Sequence, residues 1–441
     1  MPKKVVLIVI DGLTPSVFEQ AVGDRRAPAL SYLAEHGSYA RAVSTFPSLT
    51  PVCLSSIATG GGPDVHHIPH LVWLHRSEER LVEYGSSFAA IRAAGFSRSV
   101  LDTIFNMNAR HLSQDAVTVY ESLEDSGLVA GAINITCYRG RTKHLPTLPW
   151  LTKAAFGPKR FFFYSLFESD PTGAPLAVRN RAGGSIDEYA AWVGRWLVTR
   201  DGFDFLAYYL SDYDYASHLH GPEGAGEQLA VSDRSVARLM DAAGGPDEFL
   251  ERYAVVLCSD HGQTSVREPA FLNDAFLDLG TVLPTASNRA GMVYRLEGCG
   301  LDARELAGRL DGEPWSDVAL FRDEADAIAR HQGEELRFRP ADGGWETTGD
   351  ESLLTRHPNG LERAWSALAN PNAGELIVSP SAGWEFADLA GRHHAGGGSH
   401  GSLLAGDSEV PMLTVGLESA PARIVGVVPL VLRHFGVPHA V

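Results

Sequence analysis

Four short runs, Val5 to Ile10, Phe203 to Leu210, Tyr253 to Cys258 and Met412 to Val415, are dominated by aliphatic and aromatic residues and give way at once to polar residues or glycine. They lack a regular apolar/polar alternation, so each predicts a strand covered on both faces, as in a parallel sheet. Between them the spacing changes to that of one apolar helix face. Ile186 to Thr199 carries Ala190, Ala191, Val193, Trp196 and Leu197, and Gln228 to Ala243 carries Leu229, Val236, Leu239 and Met240. Strands alternating with helices predict a doubly wound α/β core with a mostly parallel sheet.

The pattern shifts between residues 289 and 371. A strand is expected at Met292 to Leu296 and a helix at Ala303 to Leu310, followed by a charged stretch from Arg322 to Arg339. Buried-strand runs resume at Leu376 and Met412. The expected organisation is therefore a catalytic core of residues 1–288 and 372–441 interrupted by an inserted α+β subdomain at 289–371. A helix is expected to close the chain over Ile424 to Phe435, and Gly396 to Gly398 reads as a flexible loop.

Charge narrows the partners. The chain of 441 residues carries a formal charge of −17 with no dense Lys/Arg cluster, which argues against a nucleic-acid polymer or an anionic membrane surface. An anionic small molecule would need a locally positive site, and bound metal ions supply one. Cys53, Cys137, Cys258 and Cys299 show no metal-binding or disulfide spacing. No run reaches the roughly 18 apolar residues of a membrane span, and the apolar run before Asp11 is too short for a secretory leader. A cytoplasmic location is the expectation.

The candidate chemistry clusters at the ends of the predicted strands. Asp11-Gly12 follows the first run directly, at the edge where open α/β sheets bind ligands, although Asp-Gly is also a common turn. Thr50-Pro51 opens a short helix that Gly60 ends, so Thr50 reads either as an N-cap or as a hydroxyl held in the positive field of a helix N-terminus. Asp214 and His218, four apart behind a strand, share one helix face as a chelating pair would, with Asp212 as a competitor. Asp260-His261-Gly262 ends another strand, and His400 sits in Gly396-Gly-Gly-Ser-His400-Gly401. Each residue has an ordinary reading alone. Together they offer three carboxylates and three imidazoles, and two divalent cations against three carboxylates leave a net charge of +1.

These segments resemble the alkaline phosphatase superfamily, and within it the type I phosphodiesterase/nucleotide pyrophosphatase family and its phosphonoacetate hydrolase relatives. The resemblance rests on Asp11-Gly, Thr50 with Ser56-Ile-Ala-Thr-Gly behind it, Asp214-x-x-x-His218, Asp260-His261-Gly and Gly-Ser-His400-Gly, in the family's order. It implies two divalent metals, zinc being the expected ion, one held by Asp214, His218 and His400 and the other by Asp11, Thr50, Asp260 and His261. It also implies that Thr50, rather than Thr45, attacks phosphorus and forms a phosphothreonine.

Two departures affect the substrate. Counting from Thr50, Leu71 falls where nucleotide pyrophosphatases carry a phosphate-binding Asn, and Pro51 has no amide to donate. His66, His67 and His70 are the expected substitute donors, against an ordinary reading as an exposed His-rich loop, and Phe46, Trp73 and Tyr84 are the aromatic residues expected to pack against the leaving group, against an ordinary reading as core. The expected activity is hydrolysis of a small phosphorylated substrate, a diester or nucleotide-like molecule. A phosphonate hydrolase, a phosphomonoesterase and a catalytically silent phospho-ligand binder are the alternatives.

Overall fold

The computed structural model describes residues 2–148, 153–176 and 185–438. An eight-stranded sheet runs in the order Ser38–Val43, Glu409–Val415, Tyr253–Cys258, Lys4–Ile10, Phe205–Leu210, Ala130–Ile133, Arg160–Phe163 and Phe167–Ser169. The five strands from Tyr253–Cys258 to Arg160–Phe163 are mutually parallel, and antiparallel strands complete both edges. The continuous apolar runs have the predicted cause. Val5, Leu7 and Val9 enter the core on one face, while Val6, Ile8 and Ile10 enter a second core on the other. Helices Thr50–Thr59, Val119–Asp125 and Val427–Phe435 cover the first face. Helices Pro15–Gly23, Pro28–Glu35, Ile186–Thr199 and Gly226–Ala243 cover the second.

A second sheet of seven antiparallel strands draws on residues 282 to 380, in the order Val282–Ser287, Ala290–Arg295, Leu376–Pro380, Ser316–Asp323, Asp326–His331, Glu334–Ala341 and Gly344–Gly349. Leu376–Pro380, which reads in sequence as a strand of the core, lies inside this sheet, because a run buried on both faces looks the same in either one. The charged stretch Arg322 to Arg339 folds into strands as well. Ile328, Leu336 and Phe338 point inward while Arg330 and Arg337 pair with Asp311, Glu335, Asp323 and Asp326.

Two buried arginines from this region brace the loops above the parallel strands. Arg289 donates to the Asp407 carboxylate at 3.0 Å and to the carbonyls of Ser381 and Trp384. Asp407 accepts from the amide and hydroxyl of Ser402, and its carbonyl accepts from the Gly262 amide, so one ion pair ties together the loops bearing His261 and His400. Arg363 donates to the carbonyls of Thr45 and Leu403 and to the Ser48 hydroxyl, just ahead of Thr50. Among the described residues, no helix is long and apolar enough to cross a membrane.

Both side chains of the Arg289–Asp407 pair are fully buried. Removing one partner strands an uncompensated charge, a loss of about 3–5 kcal/mol. Arg289→Met should therefore lower the unfolding free energy by that amount in urea titrations. A loss below about 1 kcal/mol would show that Asp407 is compensated elsewhere.

Candidate active site

Three adjacent parallel strands deliver the acidic residues. Asp11 follows Lys4–Ile10, Asp214 lies on the Asp212–His220 helix after Phe205–Leu210, and Asp260-His261 follow Tyr253–Cys258. All lie at the carboxyl ends of their strands, and all are buried. His400 arrives from the loop after Gly398–Ser399, a two-residue strand paired with Thr264–Ser265. Of the glycines before it, Gly396 takes a left-handed backbone in open space, while Gly397 and Gly398 serve close packing: a Cβ at Gly397 would collide with the His218 carbonyl, and one at Gly398 would meet Gln263 and Ser217.

Each imidazole is oriented by its backbone. The Nδ1 atoms of His218, His261 and His400 lie 2.8, 3.0 and 2.7 Å from the carbonyls of Gly398, Gly262 and Ser48. With Nδ1–H donating there, each Nε2 lone pair is turned inward, the tautomer a metal ligand needs. His261 Nε2 then stands 3.1 Å from Thr50 Oγ1, 3.3 Å from Asp11 Oδ1 and 3.4 Å from Asp260 Oδ2. Asp11 Oδ1 and Asp260 Oδ2 have no hydrogen-bond donor. Buried acceptors converging without donors fit a cation at their centre.

A second grouping brings together Asp214, His261 and His400, their ligand atoms all within 4.8 Å of one another. His218 Nε2 adds to it, 3.3 Å from Asp214 Oδ2. Burial, then the neighbouring Asp260 and Asp214, pushes the Asp11 carboxyl well above its ordinary range, and burial raises Asp260 too. Burial would depress His218, but Asp214 outweighs it and lifts the group to about 9. His400, buried beside His261, is held well below the ordinary histidine value and so stays neutral.

Thr50 begins the Thr50–Thr59 helix, whose N-cap is Leu49, so its hydroxyl faces His261 instead of capping. Thr45 is buried behind that helix on Ser56, and Asp212 caps the next helix by accepting from the amides of Ile186 and Asp187. Neither competes for the site. His70 bonds the carbonyl of Ala290 and the amide of Val72, Trp73 is fully buried against His111, and neither lines the cavity beside Thr50; nor does His67. None of these three residues lines the cavity, whereas Leu71 itself does.

The sequence reading also passed over supporting residues. Tyr209 donates to Asp11, Gln263 donates to Asp214, and Asn288 Nδ2 lies 3.0 Å from His400 Nε2. A tyrosine in a fully buried strand needs a partner for its hydroxyl, which is the signal that could have singled out Tyr209.

The sequence profile of the type I phosphodiesterase/nucleotide pyrophosphatase family matches residues 5–403. The chain belongs to this family. Its fold is that of phosphonoacetate hydrolase from Sinorhizobium meliloti in complex with phosphonoformate (TM-score 0.64, 18% identity, 97% of this chain and 94% of that one). It is also that of murine ectonucleotide pyrophosphatase/phosphodiesterase 5 (TM-score 0.63, 14% identity, 100% and 96%), and of an inactive threonine-to-alanine form of that enzyme in complex with AMP (0.65, 13%, 100% and 96%). No curated protein matches the chain in sequence. Family membership makes the protein a hydrolase of the phosphoester type, and the two groupings are its candidate metal-binding residues.

A carboxyl raised in the folded state keeps its proton longer than in the unfolded chain. Without metal, Asp11 and Asp260 thus favour folding at pH values up to the unfolded carboxyl pKa, and that contribution is lost as pH rises through their raised values. A divalent cation needs the ionised form and reverses the trend. Chelation should lower the melting temperature, and the gap between loaded and chelated protein should widen from pH 5 to pH 8 in thermal scans. A gap that is absent or constant would argue against a metal at these residues.

Proposed function

We propose that the protein is a phosphodiesterase that works with two divalent cations, zinc by ligand type, through a phosphothreonine at Thr50. The observation that carries this reading is the Thr50 hydroxyl, freed from capping, 3.1 Å from His261 Nε2 at the head of the Thr50–Thr59 helix. Asp11, Asp260, His261 and Thr50 would hold one ion, and Asp214, His218 and His400 the other. Such ions supply Lewis-acid stabilisation of the attacking and departing oxygens.

The protein's own contribution is placement. The helix N-terminus puts Thr50 Oγ1 in positive potential, where a phosphate is attracted and a developing alkoxide is stabilised. In the first step Thr50 Oγ1 bonds to phosphorus and the ester oxygen opposite departs as an alcohol or phenol. Water then attacks the phosphothreonine, releasing a phosphomonoester and restoring the hydroxyl. The threonine-to-alanine form of the murine relative, described as inactive, supports this role for the matching residue.

Asn288, whose Nδ2 lies beside His400, lines the cavity and can donate to a non-bridging oxygen. Leu71 and Pro51 face the cavity where donors would otherwise stand, and among the described residues no Lys or Arg lines it. A diester monoanion suits such a site better than a monoester dianion, which is commonly held by an arginine fork. It also suits the site better than a phosphonate carrying a second anionic group.

Thr50→Ala should abolish turnover of an aryl phosphodiester, by at least about 10³-fold, and leave the melting temperature within a few degrees of wild type. Activity retained in that variant would remove the covalent route. For the unaltered enzyme, kcat/KM for bis(p-nitrophenyl) phosphate should exceed that for p-nitrophenyl phosphate by at least about tenfold, equivalent to roughly 1.4 kcal/mol. Equal or reversed values would show a monoesterase.

A further inference from the structure

The cavity beside Thr50 encloses about 680 Å³ and has two unlike ends. One end holds Thr50, Asp11, Asp214, His218 and His400. Leading away from it, Ile91, Val100, Ile104, Met107, Phe163 and Leu166 form an apolar wall. Part of that wall is a π-helical stretch, Asp102–His111, a rare conformation that concentrates at functional sites. At the mouth, Tyr215 and Leu219 line the cavity while remaining 61% and 70% exposed. They sit one residue beyond Asp214 and His218, so the helix that carries those two residues also presents an apolar lip.

The polar groups along this wall are neutral, and most are already engaged. Tyr84 bonds His111 at 2.7 Å, Ser86 bonds Glu83, and Thr103 donates to the Ser99 carbonyl at 2.9 Å. Thr136 Oγ1 and Ser211 Oγ are left without partners. A nucleobase would bury several donors and acceptors against hydrocarbon here, and a further phosphate would find no Lys or Arg lining the cavity among the described residues. An alkyl or aryl group would displace water from the apolar wall, a gain that has to outweigh leaving the Thr136 and Ser211 hydroxyls without a partner.

We infer that the site takes phosphodiesters whose retained ester group is large, uncharged and apolar, an alkyl or aryl group, in preference to nucleotide esters. This rests on the phosphodiesterase reading and specifies its substrate class. In the productive pose the small leaving group departs from the metal end and the apolar group lies along the Ile104 wall.

The test compares three p-nitrophenyl phosphodiesters whose second group is methyl, hexyl or thymidine 5′-yl. Each buried methylene favours binding several-fold, so kcat/KM for the hexyl ester should exceed that for the methyl ester by at least about 30-fold, and should exceed that for the nucleotide ester as well. A nucleotide ester turned over as fast as the hexyl ester, or methyl and hexyl esters turned over equally, would overturn the inference. If none of the three is cleaved, the phosphodiesterase reading fails, and calorimetric affinities of the metal-loaded Thr50→Ala protein for the same esters still decide the preference. Tighter binding of the hexyl ester would support it and equal affinities would overturn it. Ile104→Glu, and separately the exposed Leu219→Glu, should cut the hexyl-to-methyl ratio to below about 5; an unchanged ratio in both would show that the apolar group lies elsewhere.

Discussion

Three carboxylates, Asp11, Asp214 and Asp260, are buried side by side at the ends of three neighbouring strands, and the rest of the site is arranged around their mutual repulsion. Protons can relieve it, as the raised position of Asp11 shows. Cations relieve it without discharging the carboxylates. The cation reading is favoured by the backbone carbonyls at the Nδ1 atoms of all three histidines, which leave each Nε2 facing the cluster.

Holding such a cluster open requires that the loops carrying it do not collapse or splay. The sheet itself fixes only the points where Asp11, Ser211 and Ser259 leave their strands. Beyond those points the loops are pinned from the second sheet's side. Arg289 and Asp407 lock the His261 and His400 loops together, and Arg363 holds the chain from Thr45 to Ser48 that precedes Thr50. Buried guanidiniums suit this task because one planar group satisfies several carbonyls at once. The second sheet therefore takes part in shaping the site, although most candidate ligands come from the first.

The parallel core was legible because a run such as Val5–Ile10 feeds two cores by alternate residues, which leaves no polar position to blur it. The cluster of candidate ligands was legible for a related reason: a carboxylate or imidazole immediately after a fully buried strand has few structural roles. What sequence could not show was direction of approach across long separations. Asn288 reaches His400 over more than a hundred residues, and Gly397 is small because His218 lies over it. His67, His70 and Trp73 were singled out for nearness to Thr50 in sequence, which is not nearness to the cavity. The chain turns the His70 and Trp73 side chains toward Ala290 and His111.

The same turning explains how Thr50 and its surroundings fit one another. With Pro51 next in the chain and Leu49 as the cap, the first turn of the helix offers a field but few amides. On the proposed reading the hydroxyl is then free to react, and the phosphoryl group would take its direct contacts largely from the candidate metal-binding end. Leu71 and the Ile104 wall then leave the substrate's remaining surface against hydrocarbon. Discrimination among substrates would accordingly come from the shape and polarity of the ester group, not from charge, since the charged residues lining this cavity lie at its reacting end.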